Sequence, residues 1–184
     1  MSAQPNPAQA IVIDKPFVLA QLQASRDIFL NSFSGISEEQ SHVKPASDRW
    51  SVLDTIEHLA TAEGIQLKLI STQRTPRSAD APNREGAFLH MIPNRTNKME
   101  SPEIAKPIGR FVTLAEATEQ FKKTRAGTIQ FLEQYTDDLR ASEVKHPHPA
   151  AGMLSICEML VAMAMHAKRH AAQIEEIRTS LKLN

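Results

Sequence analysis

The sequence has little of what stabilises small secreted proteins or sheet-rich proteins. It contains one cysteine, Cys157, among 184 residues, which excludes an internal disulfide and a zinc site built from several cysteines. A single cysteine is compatible with a reducing cytoplasm, where we expect the protein to reside. Six glycines, one tyrosine and one tryptophan are few for a β-sandwich, and no alternating apolar runs stand between turn residues. The composition favours an all-α fold.

Net charge and long apolar runs are also missing. The 21 basic and 21 acidic residues cancel, so no overall field attracts nucleic acid or an anionic membrane. The longest apolar run, Met159 to Met165, is far shorter than the ~20 residues that cross a bilayer. Residues 1–14 lack the pattern of a signal peptide and form a predicted N-terminal extension. We expect one domain over residues 1–184, with no nucleic-acid or membrane partner.

Four amphipathic helices account for most of the apolar residues. The first is predicted from Lys15 to Phe33, where apolar side chains recur at intervals of three and four residues. The others begin at capping boxes, in which a serine or threonine and an acidic residue three positions later each accept a backbone amide. These boxes are SVLD from Ser51, TLAE from Thr113 and SICE from Ser155. The last helix is expected to end near Leu181.

A long connection separates the second and third predicted helices. Residues 72–110 contain five of the eleven prolines and one short apolar patch, Ala87-Phe88-Leu89. Proline disrupts the helix interior, which indicates a loop. Four amphipathic helices with one long crossover are a known way to bury four apolar stripes. The sequence therefore predicts a four-helix bundle whose crossover loop joins helices 2 and 3.

Three histidines lie on or beside the predicted core faces. His166 and His170 are four residues apart on a stripe otherwise made of methionine, alanine and isoleucine, so both rings lie on the same side of the last helix. His58 lies at the edge of the apolar arc of the second helix. Three imidazoles from two helices can hold a divalent metal and leave a coordination position for water or substrate. The alternative is a set of hydrogen-bonded core histidines.

The remaining histidines and the cysteine favour simpler interpretations. We interpret the other histidines, two of which lie in the sequence HPHP before the last helix, as solvated residues that could line the mouth of a site; they are His42, His90, His146 and His148. Cys157 lies in the first turn of an apolar helix. Packing is a better interpretation of that thiol than nucleophilic chemistry.

Two charged residues are further candidates for a catalytic role. Arg125 interrupts the apolar stripe of the third helix; it is either an anion clamp or, as we favour, a side chain extending to a surface carboxylate. Glu63 lies on the core side of the second helix and is either a general base or ligand support, or a structural hydrogen-bond acceptor. Glu57 on the same helix is expected to face solvent.

Two segments resemble the DinB-like (DinB/YfiT) superfamily. They are WSVLDTIEHLATAE, from Trp50 to Glu63, and HAKRHAAQI, from His166 to Ile174, and the resemblance extends over about residues 15–180. It implies an up-down-down-up four-helix bundle, often a homodimer, with a divalent metal, commonly nickel or zinc, bound by three histidines. Those ligands correspond here to His58, His166 and His170.

The resemblance also limits the functions to consider. Relatives in this superfamily include thiol S-transferases and metal-dependent hydrolases, so it implies an enzyme that activates a water or a low-molecular-weight thiol towards a small-molecule substrate. The alternative is a non-catalytic, metal-binding or stress-associated bundle that acts through dimerisation or partner contact. A ferritin-like di-iron protein needs inward-facing Glu-x-x-His pairs. The Glu-x-x-His sequence from Glu143 to His146 lies in a proline-containing loop, which argues against a di-iron site.

Overall fold

The computed structural model describes residues 11–96 and 99–183, so most of the predicted N-terminal extension lies outside the described residues. Helices account for most of the described chain, and a small sheet accompanies them. The helices are α1 Lys15–Ser32, α2 Glu38–His42, α3 Val52–Thr72, α4 Glu85–Met91, α5 Leu114–Gln134 and α6 Ile156–Leu181. The strands are β1 Thr75–Pro76, β2 Ser142–Lys145 and β3 Met153–Ser155.

The long helices begin where the sequence predicted. All three expected capping boxes form, each with both hydrogen bonds, at Ser51, Thr113 and Ser155. Asp14 caps α1 by accepting the Phe17 amide. Side-chain caps of this kind each stabilise a helix by about 1 kcal/mol.

Contacts between the four long helices establish their directions. Helices α1 and α6 run parallel, because Gln21 contacts Lys168 while Ser32, further along α1, contacts Arg178. Helices α1 and α5 run antiparallel. Their contacts pair Lys15 with Glu133, Leu22 with Arg125 and Phe29 with Phe121.

The remaining contacts complete the topology. Helices α3 and α5 run parallel, since Gly64 lies beside Thr124 and Leu67 beside Gly127. A parallel pair of consecutive bundle helices requires a connection as long as the bundle itself, and residues 73–113 provide it. The directions are therefore up-down-down-up, as the resemblance to the DinB-like superfamily implied.

The crossover is more ordered than a loop. It contains β1, α4 and a 3₁₀ helix at Glu103–Ala105. Helix α4 packs against α6. Its side chains Phe88 and Leu89, and Ile92 directly after it, contact the core. The long crossover predicted from the sequence is present, but the sequence did not predict α4, because this short helix is stabilised by packing on α6 rather than by its own sequence.

The sequence did not predict the small sheet or helix α2. The strands β1, β2 and β3 form an antiparallel sheet in that order, and β3 leads directly into α6. These strands have two to four residues, too few for an alternating pattern to be recognised. Helix α2 has only five residues, although Ser37 and Gln40 form a capping box at its start.

The bundle interior consists of two apolar clusters. One contains Leu22, Leu132 and Met159, and the other contains Phe29 and Phe121. Within residues 11–96 and 99–183, no helix is both long enough and apolar enough to span a bilayer.

Candidate metal centre

Three imidazoles meet between α3 and α6. His58 comes from the first third of α3, and His166 and His170 come from consecutive turns of α6. The Nε2 atom of His166 lies 3.3 Å from Nε2 of His58 and 2.8 Å from Nε2 of His170. One nitrogen from each ring falls within 4.8 Å of the other two. The structure therefore brings together the three residues predicted as ligands.

The neighbours of His58 determine its tautomer. Its Nδ1 atom lies 2.8 Å from the backbone carbonyl oxygen of Ala105, in the 3₁₀ helix of the crossover. A carbonyl oxygen can only accept, so Nδ1 carries the proton and Nε2 carries a lone pair. The Ser101 hydroxyl lies 3.3 Å from the same Nδ1 atom. The crossover thus aims the His58 lone pair at the other two rings.

A similar chain of contacts fixes the tautomer of His170. Its Nδ1 atom lies 3.0 Å from Oε1 of Gln173, one turn later on α6. Arg95, which can only donate, also contacts that oxygen at 3.2 Å. The oxygen therefore accepts from both, and the His170 proton lies on Nδ1. Glu176 holds Arg95 in position through hydrogen bonds of 2.6 and 2.7 Å.

This arrangement suits a bound cation. The Nε2 lone pairs of His58 and His170 both point towards Nε2 of His166, which has at most one proton and so can donate to only one of them. Burial lowers the pKa of His58, and burial together with the neighbouring rings lowers the pKa values of His166 and His170 well below the usual range. The rings are therefore neutral near pH 7, which is the form that binds a metal. Hydrogen bonds from the opposite ring nitrogens are typical of histidine ligands.

Burial differs among the three rings. His58 and His170 are only 4% and 5% exposed, whereas His166 is partly exposed. The centroid of the Trp50 ring lies 4.8 Å from the centroid of the His58 ring and 6.3 Å from that of the His170 ring. Trp50 therefore shields two of the rings from water. Of the three rings, His166 is therefore the most accessible to solvent.

Glu63 and Arg125 contact each other. Both side chains are buried, and two hydrogen bonds of 2.6 and 2.7 Å join the guanidinium to the carboxylate. Arg125 also donates to the Leu22 carbonyl and the Ser25 hydroxyl, and Thr128 donates to Glu63. The expectation that Arg125 extends to the surface was wrong. The charges compensate each other inside the bundle, so this pair has a structural role.

Glu57 also lies elsewhere than expected. It is 1% exposed, because the end of the crossover covers this face of α3. Its carboxylate accepts the backbone amides of Ile108, Gly109 and Arg110 as well as the Arg110 guanidinium. The prediction of a solvent-facing residue was wrong because helical periodicity does not reveal what an adjoining segment covers. Glu57 holds in place the segment that positions Ala105 against His58.

The remaining histidines and Cys157 divide between surface and interior. His42 and His90 are exposed, but His146 is half-buried and its ring contacts Gln66. The interpretation of His146 as a solvated loop residue was therefore wrong. Cys157 is buried, as expected for a packing residue, and burial raises the pKa of its thiol. That thiol is not activated as a nucleophile.

The stability of the metal-free protein is expected to depend on pH through His146. Burial lowers the pKa of His146 to about 4, whereas the unfolded chain titrates near 6.5. The unfolded state therefore binds the proton first as the pH falls, and stability present above pH 6.5 is lost towards pH 4. We expect His146 to account for about 3 kcal/mol over that range. Urea unfolding in a chelating buffer at several pH values measures the loss.

A His146→Gln variant should lose less stability over the same pH range. His90→Gln is the matched control, because His90 is exposed on α4. That control should follow the wild-type pH profile. Parallel profiles for His146→Gln and the wild type would contradict the expected contribution.

Sequence comparison identifies relatives that span most of the chain. The model of the DinB superfamily matches residues 21–174. The uncharacterized protein YuaE of Bacillus subtilis strain 168 is 24% identical over 154 residues, which are 83% of this chain and 91% of YuaE.

Structure comparison agrees on the fold. The structure of YfiT from Bacillus subtilis, described as "a probable metal-dependent hydrolase with an unusual four-helix bundle topology", superposes with a TM-score of 0.61 and 17% identity. The match covers 97% of this chain and 94% of YfiT. The family match over residues 21–174 and the shared helix topology lead to one conclusion: the chain belongs to the DinB superfamily.

Proposed function

We propose that this protein is a metal-dependent enzyme in which His58, His166 and His170 hold one divalent ion, zinc or nickel. The observation that carries the proposal is the convergence of three Nε2 atoms, two of which are deprotonated because Ala105 and Gln173 hold the protons on the opposite nitrogens. Neutral imidazole nitrogens are favoured ligands of zinc and nickel.

The chain's own residues prepare this site before any ligand arrives. Ala105 and Gln173 orient two rings, and Trp50 keeps water from their faces. When bound, a zinc-like ion at three protein ligands lowers the pKa of a coordinated water or thiol and so supplies a nucleophile near neutral pH. The partly exposed side at His166 admits a small substrate.

Two reactions are consistent with such a nucleophile. The description of YfiT as a probable metal-dependent hydrolase supports attack by water. Attack by a low-molecular-weight thiol on an electrophilic substrate needs the same ligand set and the same open position. We infer that the reaction is one of these two, and that the metal centre is common to both.

Metal analysis of the purified protein tests the centre. After incubation with zinc or nickel and removal of excess ion, we expect inductively coupled plasma mass spectrometry to find about one ion per chain. His58→Ala, His166→Ala and His170→Ala should each reduce this towards zero, since two nitrogens remain. His42→Ala and His90→Ala are matched controls, because both residues are exposed. Circular dichroism verifies that every variant is folded.

An activity assay then separates the enzyme from a non-catalytic metal-binding bundle. The metal-loaded protein is tested for hydrolysis of p-nitrophenyl esters and for transfer of small thiols to 1-chloro-2,4-dinitrobenzene. Acceleration of either reaction that disappears in folded His58→Ala supports the proposal. A stoichiometric metal without acceleration would favour the non-catalytic alternative, and a wild type that takes up no metal would exclude both.

A further inference from the structure

Arg95 joins the crossover to α6 beside the metal centre. It follows α4 on the crossover, and its guanidinium donates to Oε1 of Gln173 at 3.2 Å and to the Glu176 carboxylate at 2.6 and 2.7 Å. The Arg95 side chain is 20% exposed and that of Glu176 is 50% exposed. Gln173 lies one turn after His170 and contacts its Nδ1 atom at 3.0 Å. The crossover therefore reaches His170 through two side chains.

A second arginine holds the same part of the crossover on α6. Arg169 of α6 donates to the backbone carbonyl oxygens of Ile92 and Asn94. The stretch that carries Arg95 is thus bound to α6 in two ways, by a side chain of α6 and by a side chain of its own. These contacts place the Arg95 guanidinium against the Gln173 amide.

The amide of Gln173 has two orientations of nearly the same shape. In the observed orientation its oxygen faces Nδ1 of His170, which therefore carries the ring proton. In the reverse orientation the NH₂ group would face Nδ1. A donor at that place requires a lone pair on Nδ1 and so moves the ring proton to Nε2. A protonated Nε2 cannot bind a metal, so only the observed orientation suits the metal centre.

The contact at the other ring nitrogen does not select between these tautomers. Nε2 of His170 lies 2.8 Å from Nε2 of His166, and a neutral His166 ring either donates or accepts there. Arg95 does select, because a guanidinium only donates. It favours the orientation in which the Gln173 oxygen faces it. That orientation also leaves a lone pair on Nε2 of His170.

We propose that Arg95 is a positioning residue of the metal centre, which selects the metal-binding tautomer of His170 through the orientation of the Gln173 amide. The proposal rests on the proposed function for the metal itself. It adds a regulation of that site, because metal affinity then depends on whether the stretch that carries Arg95 lies on α6. Since such a coupling is reciprocal, metal binding also favours the crossover bound to α6.

The histidine tautomers of the metal-free protein test the first step. Long-range ¹H–¹⁵N spectra distinguish a protonated from an unprotonated ring nitrogen, and the signals of His170 are assigned by their absence in His170→Gln. We expect wild-type His170 to carry its proton on Nδ1, and Arg95→Met to move part of the population to the Nε2–H tautomer. Glu176→Ala should shift the tautomer in the same direction, because Arg95 loses its ion pair.

Replacing Gln173 by glutamate separates positioning from a structural role. A carboxylate accepts with either oxygen, so Gln173→Glu keeps the His170 proton on Nδ1 with or without Arg95. We expect Arg95→Met to reduce zinc affinity, measured by competition with a chelator, about tenfold in the wild-type background and less than about twofold in the Gln173→Glu background. Arg26→Met, at an exposed ion pair with Asp27 on α1, is the matched control and should leave zinc affinity unchanged.

The outcomes distinguish this inference from the proposed function. A wild type that takes up no zinc contradicts the metal centre, and the tautomers of the metal-free wild type and Arg95→Met then decide the inference. It is overturned if wild-type His170 carries its proton on Nε2, if Arg95→Met leaves the tautomer unchanged, or if Arg95→Met reduces zinc affinity equally in both backgrounds. If circular dichroism shows that Arg95→Met is unfolded, Glu176→Ala takes its place in each comparison.

Discussion

Replacing Arg125 by methionine is expected to lower the free energy of unfolding by about 3–5 kcal/mol, the cost of breaking one side of a buried ion pair. Methionine fills much of the same volume, so the loss arises chiefly from charge. Glu63 would keep a carboxylate at 1% exposure with only Thr128 as a donor. The Leu22 carbonyl and the Ser25 hydroxyl would also lose a donor. Urea unfolding at pH 7 measures the change.

A double variant separates the charge from the packing. Glu63→Leu combined with Arg125→Met removes both charges, and its stability should recover to within about 1–2 kcal/mol of the wild type. The expected recovery follows because no uncompensated ion remains in the core. If Arg125→Met alone cost less than about 1 kcal/mol, the pair would not be the buried, compensated unit that its geometry indicates.

Replacing Glu57 by alanine is expected to release the end of the crossover and to destabilise the protein by about 3 kcal/mol. The carboxylate accepts four hydrogen bonds from residues 108–110, at 2.7 to 3.1 Å. Without it, three backbone amides lose their acceptor and Arg110 loses its ion pair. Unfolding in urea and limited proteolysis within residues 99–112 should both report the release.

The same substitution should weaken metal binding without touching a proposed ligand. The released segment carries Ala105 and Ser101, which contact Nδ1 of His58. Loss of such a partner typically reduces metal affinity by about tenfold or more. Glu103→Ala is the matched control, because the Glu103 side chain is 87% exposed and forms a surface ion pair with Lys106. Unchanged zinc affinity in Glu57→Ala would show that the end of the crossover does not contribute to metal binding.

Local signals explain what the sequence predicted correctly. A capping box involves four consecutive residues, so a helix start can be predicted from it without knowledge of the rest of the chain. This was the case for the helices that begin after Ser51, Thr113 and Ser155. The i, i+4 spacing of His166 and His170 fixed their common direction in the same way. Their meeting with His58 depends on α3 packing against α6, which periodicity does not specify.

The errors share a physical cause. Periodicity divides a helix into faces, but it does not say which faces other segments cover. Glu57 is buried because the crossover returns over α3, and Arg125 is buried because Glu63 supplies its counter-charge from a neighbouring helix. His146 was assigned to solvent on the same incomplete grounds, although Gln66 contacts its ring. The contact between Gln173 and His170 could have been predicted from the sequence, since Gln173 follows His170 by about one helical turn.

The pairing of the first long helix with the last has a consequence for biosynthesis. Helix α1 packs lengthwise on α6. The apolar face of α1 is therefore not fully covered until α6 has been synthesised. Synthesis proceeds from the N-terminus, so α6 is the last of the four long helices to be made. His166 and His170 therefore reach His58 only after α1, α3 and α5 have been synthesised. The imidazole cluster forms late, and a nascent chain that bound metal before α6 was made would bind it through other residues.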